Sequence, residues 1–472
     1  MKMTKYKLSE LVEVTRGASL SGQFYAEEGK LIRLTLGNFN MNGGGFKENT
    51  SKTDLYFTGT VRDEFILNEG DIITPLTEQS LGLLGTTARI PESGKYIQSQ
   101  DVALVRCKKG LLDPNFCYYL ISSSIMRQQL SAAAQQTKIR HTSPEKIKDC
   151  TVWVPDFDVQ KNIGRILTDI DNKIAINRQI NDNLEAMAKQ LYDYWFVQFD
   201  FPNEEGKPYK SSGGAMVWNE KLKRKIPQGW SNGVLSDVAN ITMGQSPDGS
   251  SYNEDGEGII FYQGSTDFGL RFPDIRQYTT SPSRYANKGD ILMSVRAPVG
   301  ALNIANNDCC IGRGLSALSS KIGSMTHLYY LMNDFRLKFE GMNSAGTTFG
   351  SITKDELFSL PVIIPTKSVI LEFEQVCEPI FDKQMIIGEE INALTKQLNE
   401  LSPLLMNGQA TVNYHLSAST SISFDISFLF LNFTNGNSLY EIIGLDYQCF
   451  ALPLHSKENT HGTIQEDKRH IQ

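Results

Sequence analysis

Two stretches of the chain carry apolar side chains at alternating steps of four and three. The first holds Ile163, Leu167, Ile170, Ile174, Asn177, Asn181, Leu184, Ala188, Leu191 and Trp195. The second holds Ile370, Phe373, Cys377, Ile380, Gln384, Ile387, Ile391, Leu394, Leu398, Leu401 and Leu405. This spacing predicts two long helices, each with a seam of the heptad kind. The polar positions within the seams, Asn177, Asn181 and Gln384, would cost stability on burial and fix register. Pro379 should kink the second helix or mark its true start. Elsewhere the pattern is of short apolar runs between Gly and Asn turns. LIRLTLGNF, DIITPL, VALVRC and TVWVP read as strands before the first helix, and IIFYQG, DILMSV and LPVIIP before the second. YYLISSSIMRQQL and LYYLMNDFRLKF read as shorter helices among them.

The two stretches belong to a long-range repeat. LSELVEVTRG from Leu8 matches LSDVANITMG from Leu235, and LNEGDIITP matches ANKGDILMS. FCYYLIS at Phe116 matches HLYYLMN at His327, and TVWVP ending at Pro155 matches PVIIP ending at Pro365. QINDNL echoes EINAL within the helices. These matches in one order identify a tandem duplication. The expected architecture is α+β: two mixed α/β globules over 1–155 and 230–365, long helices over 156–199 and 366–410, a linker at 200–229 and an extension at 411–472. Each seam finds its natural partner in the other, so the helices should pair as a coiled coil.

Composition narrows the chemistry. Forty per cent apolar and 10% aromatic residues in 472 exclude a disordered chain. No apolar run reaches the ~18 residues that span a bilayer. The start, MKMTKYKLSELVEV, has no apolar signal core, which points to the cytosol. Seven Cys lack a C-x-x-C pair and the six His lack ligand spacing, so neither a disulfide framework nor a metal site is expected. The net charge of −7 argues against nucleic acid as a whole, yet residues 1–155 hold 19 basic and 16 acidic side chains, or +3. A local basic face remains open.

Catalytic patterns are missing. There is no Walker A sequence, no G-x-G-x-x-G after a strand and no D/N-P-P-Y/F signature of an amino-methyltransferase. Pro155-Asp156 with Asp171-x-Lys173 imitates a nuclease metal site, but Asp171 and Lys173 lie two residues apart on a helix and should diverge by about 200°. GLLGTTARIP at Gly82 and the glycines at 43–45 read as turns rather than phosphate cradles. The basic stretch EKLKRKIP from Glu220 reads as a solvated hinge.

Further strings carry a resemblance. GDILMSVRAPVG from Gly289, CIGRGLSAL from Cys310, GTTFGSITKDEL from Gly346, NKIAINRQINDNLEAMAKQLYDYWF from Asn172 and IPQGW from Ile226 resemble specificity subunits of type I restriction–modification systems, over roughly residues 5–412. The resemblance implies that each globule is a target-recognition domain reading one half of a split site in double-stranded DNA. It implies antiparallel packing of the helices as a spacer that docks two methyltransferase subunits. S-adenosylmethionine, ATP and magnesium would be used by those partners and by restriction/translocase subunits, with no cofactor in this chain. The tandem repeat then has a pseudo-two-fold, and different loops make the site asymmetric. A seam from Ile163 to Trp195 is about 48 Å long, roughly 14 base pairs, so two readers can face one side of a duplex.

Direct readout and phosphate contacts need cations, amides and hydroxyls on loops. The first half offers Lys47, Lys52, Arg62, Gln79, Lys138, Arg140 and His141. The second offers Arg271, Arg276, Arg284, Tyr285, Arg296, Arg313, Thr347, Thr348 and Ser351. Residues after Val412 depart from the family's pattern and read as an added module or as read-through into foreign sequence, with an aggregation-prone run from Ile422 to Phe433. Rival readings are a rearranged copy that donates recognition domains, a stand-alone nuclease and a coiled-coil scaffold without a DNA role.

Overall fold

The computed structural model describes residues 1–40, 44–78, 82–133, 140–344 and 350–411. Gln79, Lys138, Thr347, Thr348 and the extension from 412, with its apolar run, lie outside the described residues.

The duplication is explicit in the strand order. In the first half Val12–Arg16, Val102–Cys107, Ile72–Pro75 and Ala88–Arg89 form an antiparallel sheet in that order. Val105 stands between Val14 and Ile72. In the second half Ala239–Met243, Leu315–Ser320, Ile291–Ser294 and Leu302–Ile304 repeat that order, with Leu318 between Ile241 and Ile291. The central strands begin with four consecutive buried residues because both faces are covered; the first, VALV, runs apolar without alternation, and the second, LSAL, includes the buried Ser316. A second sheet of shorter strands, four in the first half and five in the second, contains one parallel pair in each, Leu31–Arg33 with Tyr96–Ile97 and Ile259–Tyr262 with Cys309–Ile311. A ribbon closes each half, Thr4–Lys7 on Thr151–Val154 and Ser231–Val234 on Pro361–Ile364.

Of the expected shorter helices the second forms whole, while the first is broken at an extended Ser123 into Pro114–Ser122 and Ser124–Ala133. Pro114–Ser122 is capped by the Asp113 carboxylate, which accepts from the Phe116 amide. Its counterpart Met325–Ser344 is capped from outside: the Glu374 carboxylate accepts from the Met325 amide at 3.1 Å and from the Ser324 and Thr326 hydroxyls. An anion at a helix N-terminus satisfies orphan amides and meets the positive end of the helix dipole.

The first long helix is Phe157–Tyr192, continued by one π turn at Asp193–Val197. The second is Lys367–Met406. Pro379 marks no start, because it stands inside this helix on the exposed side. Between the two helices Ile174, Ile387, Ile391 and Leu394 are buried together, with Ile170, Leu184 and Leu398 at the margin. Gln384 donates to Glu185 at 2.9 Å, and Tyr192 meets Phe373 with ring centroids 6.2 Å apart. Residue numbers therefore rise along one helix as they fall along the other.

The outer parts of the seams are shared with the domains. Ile163 and Leu167 join the first domain's core, together with Leu405 and Met406 from the far end of the second helix and Ala410 just beyond it. Leu191 and Ile380 edge an aromatic cluster of Tyr192, Trp195, Phe196, Phe199, Phe201, Trp230, Tyr330 and Phe373. Two helical glycines permit close approach. A Cβ on Gly164 would lie 2.6 Å from the Phe116 amide nitrogen, and one on Gly388 would lie 2.8 Å from the Phe272 ring.

The stretch EKLKRKIP from Glu220 remains largely in solvent but is not the hinge expected. Met216–Asn219 pairs with Arg224–Pro227 in a hairpin, and the Asn219 side chain accepts from the Lys221 and Leu222 amides to close its turn. Ile226 is buried, and Phe201 stacks on Trp230 at 5.1 Å. The lysines stay in solvent while the apolar residues between them anchor the strand. Among the described residues no helix is long and apolar enough to cross a membrane.

Candidate nucleic-acid interface

Hydrogen bonds between loops gather one group of polar side chains at an end of the second domain. The Ile311 amide donates to the Arg284 carbonyl at 2.9 Å, and the Gln245 amide to the Ile311 carbonyl at 3.0 Å. The Arg313 amide donates to the Ser246 hydroxyl at 3.3 Å. The Val295 amide donates to Gly314, and the Ile352 amide to Val295, each at 2.9 Å. Arg296 and Ser351 form an isolated bridge. This ladder brings together Arg284, Arg296, Arg313 and Ser351, all exposed, with Tyr285 one residue along on the strand facing Cys310. Gln245 and Ser246 belong to the same set. They passed unnoticed in the sequence because they are uncharged and lie in a short Gly-Pro turn.

The first domain repeats this frame with other side chains. The Leu76 amide donates to Asp101, and the Thr142 amide to Leu76, each at 2.8 Å. Thr77 stands opposite His141, and Glu78 opposite Arg140. Ala18 bridges Ser99 on the same loops. Beside them Gly17, Ser19, Ser21, Phe24, Phe57, Arg62 and Phe65 line a cleft of about 450 Å³. Arg62 pairs with Glu64 at 2.9 Å and lies over Phe65. Arg140 is half-buried, 3.7 Å from Glu78 and 2.9 Å from the Ser131 hydroxyl.

Other candidates fall elsewhere. Lys47 and Lys52 are exposed on a segment whose Gly45 amide donates to Thr87, on the side of the helix Pro114–Ser122. Arg276 is exposed beyond the loop that meets the second long helix. Arg271, expected on a DNA-facing loop, is instead 9% exposed. Its guanidinium donates to Gln384 at 3.0 Å and to Glu185 at 3.4 Å, so its charge is committed to the helix pair.

The imitation nuclease site separates as helical geometry requires. Tyr119 donates to Asp171, and burial pushes the Asp171 carboxyl up against that hydrogen bond. Lys173 turns to Glu390 on the other helix. Asp156 is exposed at the helix start. Among the described residues no cluster of His, Cys, Asp or Glu could hold a metal ion. The Gly82 loop is filled from within: the amides of Gly82, Leu83 and Leu84 all donate to one oxygen of buried Glu78, at 3.2, 3.1 and 3.0 Å. A phosphate would have to displace that carboxylate.

A family model described as the type I restriction modification DNA specificity domain matches residues 1–186 and 227–401, each block covering one domain and much of the helix that follows it. The chain is 31% identical over 384 residues to a protein of Methanocaldococcus jannaschii named as the MjaX type I restriction enzyme specificity subunit, covering 77% of this chain and 85% of that one. It is 20% identical over 381 residues to the HindI specificity subunit of Haemophilus influenzae, covering 66% and 81%. The crystal structure of the type I restriction–modification S subunit from M. genitalium superposes with a TM-score of 0.57 at 16% identity, covering 86% of this chain and 96% of that one. At that identity the likeness speaks to the fold.

Proposed function

Because the chain belongs to the type I restriction–modification DNA specificity family, we propose how this specificity subunit, which carries no catalytic step of its own, divides its task between the two halves. The domains 1–155 and 230–365 are target-recognition domains, each reading one block of an asymmetric bipartite site in duplex DNA. The helices 156–199 and 366–410 act as an antiparallel coiled-coil spacer, and the two halves are related by a pseudo-two-fold.

The observation that carries this reading is a repeated frame with unlike contents. Where Thr142 bonds to Leu76, the flanking residues are His141 and Thr77; where Ile352 bonds to Val295, they are Ser351 and Arg296. Thr77 is buried and His141 exposed, so the same backbone would present an imidazole to one block, and a hydroxyl and a guanidinium to the other. Arginine and hydroxyl groups are the donors that base edges and phosphates accept.

The spacer also offers docking faces. Ile176, Ile180 and Met187 are exposed on the first helix, and Leu371, Val376 and Ile386 on the second. Exposed apolar side chains of this size favour a protein partner. Two methyltransferase subunits would occupy them, and restriction/translocase subunits would join. S-adenosylmethionine, ATP and magnesium act on those partners, in the cytoplasm.

Exchange of residues 230–365 for the matching region of a related subunit tests the reading. Methylated sites mapped in the host should show one block changed and the other intact. Alteration of both blocks together would refute it.

A further inference from the structure

Both domains are fastened to the same helix by the same kinds of group. In the second domain the adjacent tyrosines Tyr329 and Tyr330 face the long helices. Tyr330 donates to Glu185 at 3.2 Å. Arg271 donates to the same carboxylate oxygen and to Gln384, and Gln384 donates to Glu185, which closes a triangle. The guanidinium lies 5.3 Å from the Tyr329 ring centroid and 4.8 Å from that of Phe381. The neighbouring Phe272 fills the space that Gly388 leaves open.

In the first domain the matching pair is Tyr118 and Tyr119. Tyr119 donates to Asp171, and Arg89 lies 4.8 Å over Tyr118. The loop bridged by Phe39 and Phe46 corresponds to the loop bridged by Phe268 and Pro273 that carries Arg271. It has glycines instead, and a Cβ at Gly44 or Gly45 would lie 3.8 Å from the Tyr118 hydroxyl. The arginine on the tyrosine therefore comes from a strand in one domain and from a loop in the other.

Asp171 and Glu185 both stand on the first long helix. They are fourteen residues apart, about 21 Å along the axis. We propose that these two junctions are clamps that fix the separation and rotation of the two readers, and that Arg271 and Glu185 are positioning residues for the length of the gap between the DNA blocks. The inference rests on the bipartite reading above. An arginine fork is planar, so bonds to two helices at once restrict rocking as well as sliding. Arg271 is buried and Glu185 half-buried, and a polar network of this kind can fix one arrangement without adding much stability. One base pair of gap is only about 3.4 Å, so a modest loosening at Gly388 reaches the neighbouring gap length.

The test uses the full chain co-expressed with its methyltransferase subunit in a host free of that methylation, with methylated sites mapped across the genome. Wild type should methylate a bipartite motif of one gap length. Arg271→Met keeps the apolar stem over Tyr329 and Phe381 and removes both bonds. It should lower the ratio of natural-gap to one-base-pair-off sites about tenfold, with both blocks unchanged. Glu185→Gln keeps the shape of the hub and should move the ratio in the same direction, and Arg271→Lys should restore part of it. A purely structural role would lower all methylation together and leave the ratio fixed. Wild-type gap discrimination in either folded variant overturns the proposal, and Glu185→Gln decides it if Arg271→Met fails to fold. A contiguous wild-type motif would instead overturn the bipartite reading itself.

Discussion

Asn177 on the first long helix donates its side-chain amide to Glu390 on the second at 2.8 Å, and the other oxygen of that carboxylate pairs with Lys173. Burial alone would raise the Glu390 carboxyl, but the bonds from Lys173 and Asn177 hold it below its ordinary value of 4.5. A carboxylate depressed in the folded state stabilises it above pH 4.5, and that contribution is lost as pH falls through the lower folded value. Glu390→Gln should therefore melt below wild type at pH 7, with the difference closing under acid. Thermal melts from pH 7 to 3 would show it, and a constant difference across that range would contradict it.

His327 is buried in the aromatic cluster, with its ring 4.6 Å from that of Phe196. Burial pushes its pKa down to about 4 from 6.5. The unfolded chain takes up a proton below pH 6.5 that the folded chain refuses until about pH 4. Stability should fall across that window by about 3 kcal/mol in all. His327→Phe places the ring that the first domain carries at Phe116 and should flatten this part of the profile. Denaturant unfolding at pH 7 and pH 5 checks the sign: wild type loses stability between them and the variant loses less.

Arg296 and Arg313 are exposed on the stitched loops of the second domain. Replacing both with Ala should leave the melting temperature nearly unchanged, since exposed substitutions usually stay within about 0.5 kcal/mol. Binding of the assembled complex to its site should weaken. If both arginines meet phosphates, the slope of log affinity against log salt should fall by about two. An unaltered affinity and slope would remove this loop set from the interface.

Local signals carried much of the architecture. Heptad spacing depends on neighbours three and four residues away, so both long helices and their central layer at Ile174, Ile387, Ile391 and Leu394 were visible in the chain. The duplicated strands were visible because the repeated strings are the buried ones. The role of Arg271 was not, because its partners Glu185 and Gln384 lie 86 and 113 residues away. In the sequence it is one more arginine in a loop, FGLRFP. The hinge reading of EKLKRKIP failed for a related reason. Phe199, Phe201, Ile226 and Trp230 follow no period, and only the folded chain shows that they share one cluster. Glu78 escaped notice because nothing in a linear string says that a carboxylate will face the amides of the following loop.

Leu405, Met406 and Ala410 lie in the first domain's core, and Met3 packs against Gly408 just beyond that helix. The first long helix meanwhile ends in the aromatic cluster beside the second domain. Each half thus grips the other at both ends of the helix pair, and the covalent crossing at 200–229 is a third tie between bodies already joined twice. A single cut in the exposed turn at Glu204 and Glu205 would leave two fragments that stay together, each holding its mate at high effective concentration. Connectivity in this molecule is redundant: the backbone link between the halves serves to deliver them to one another, and packing keeps them there.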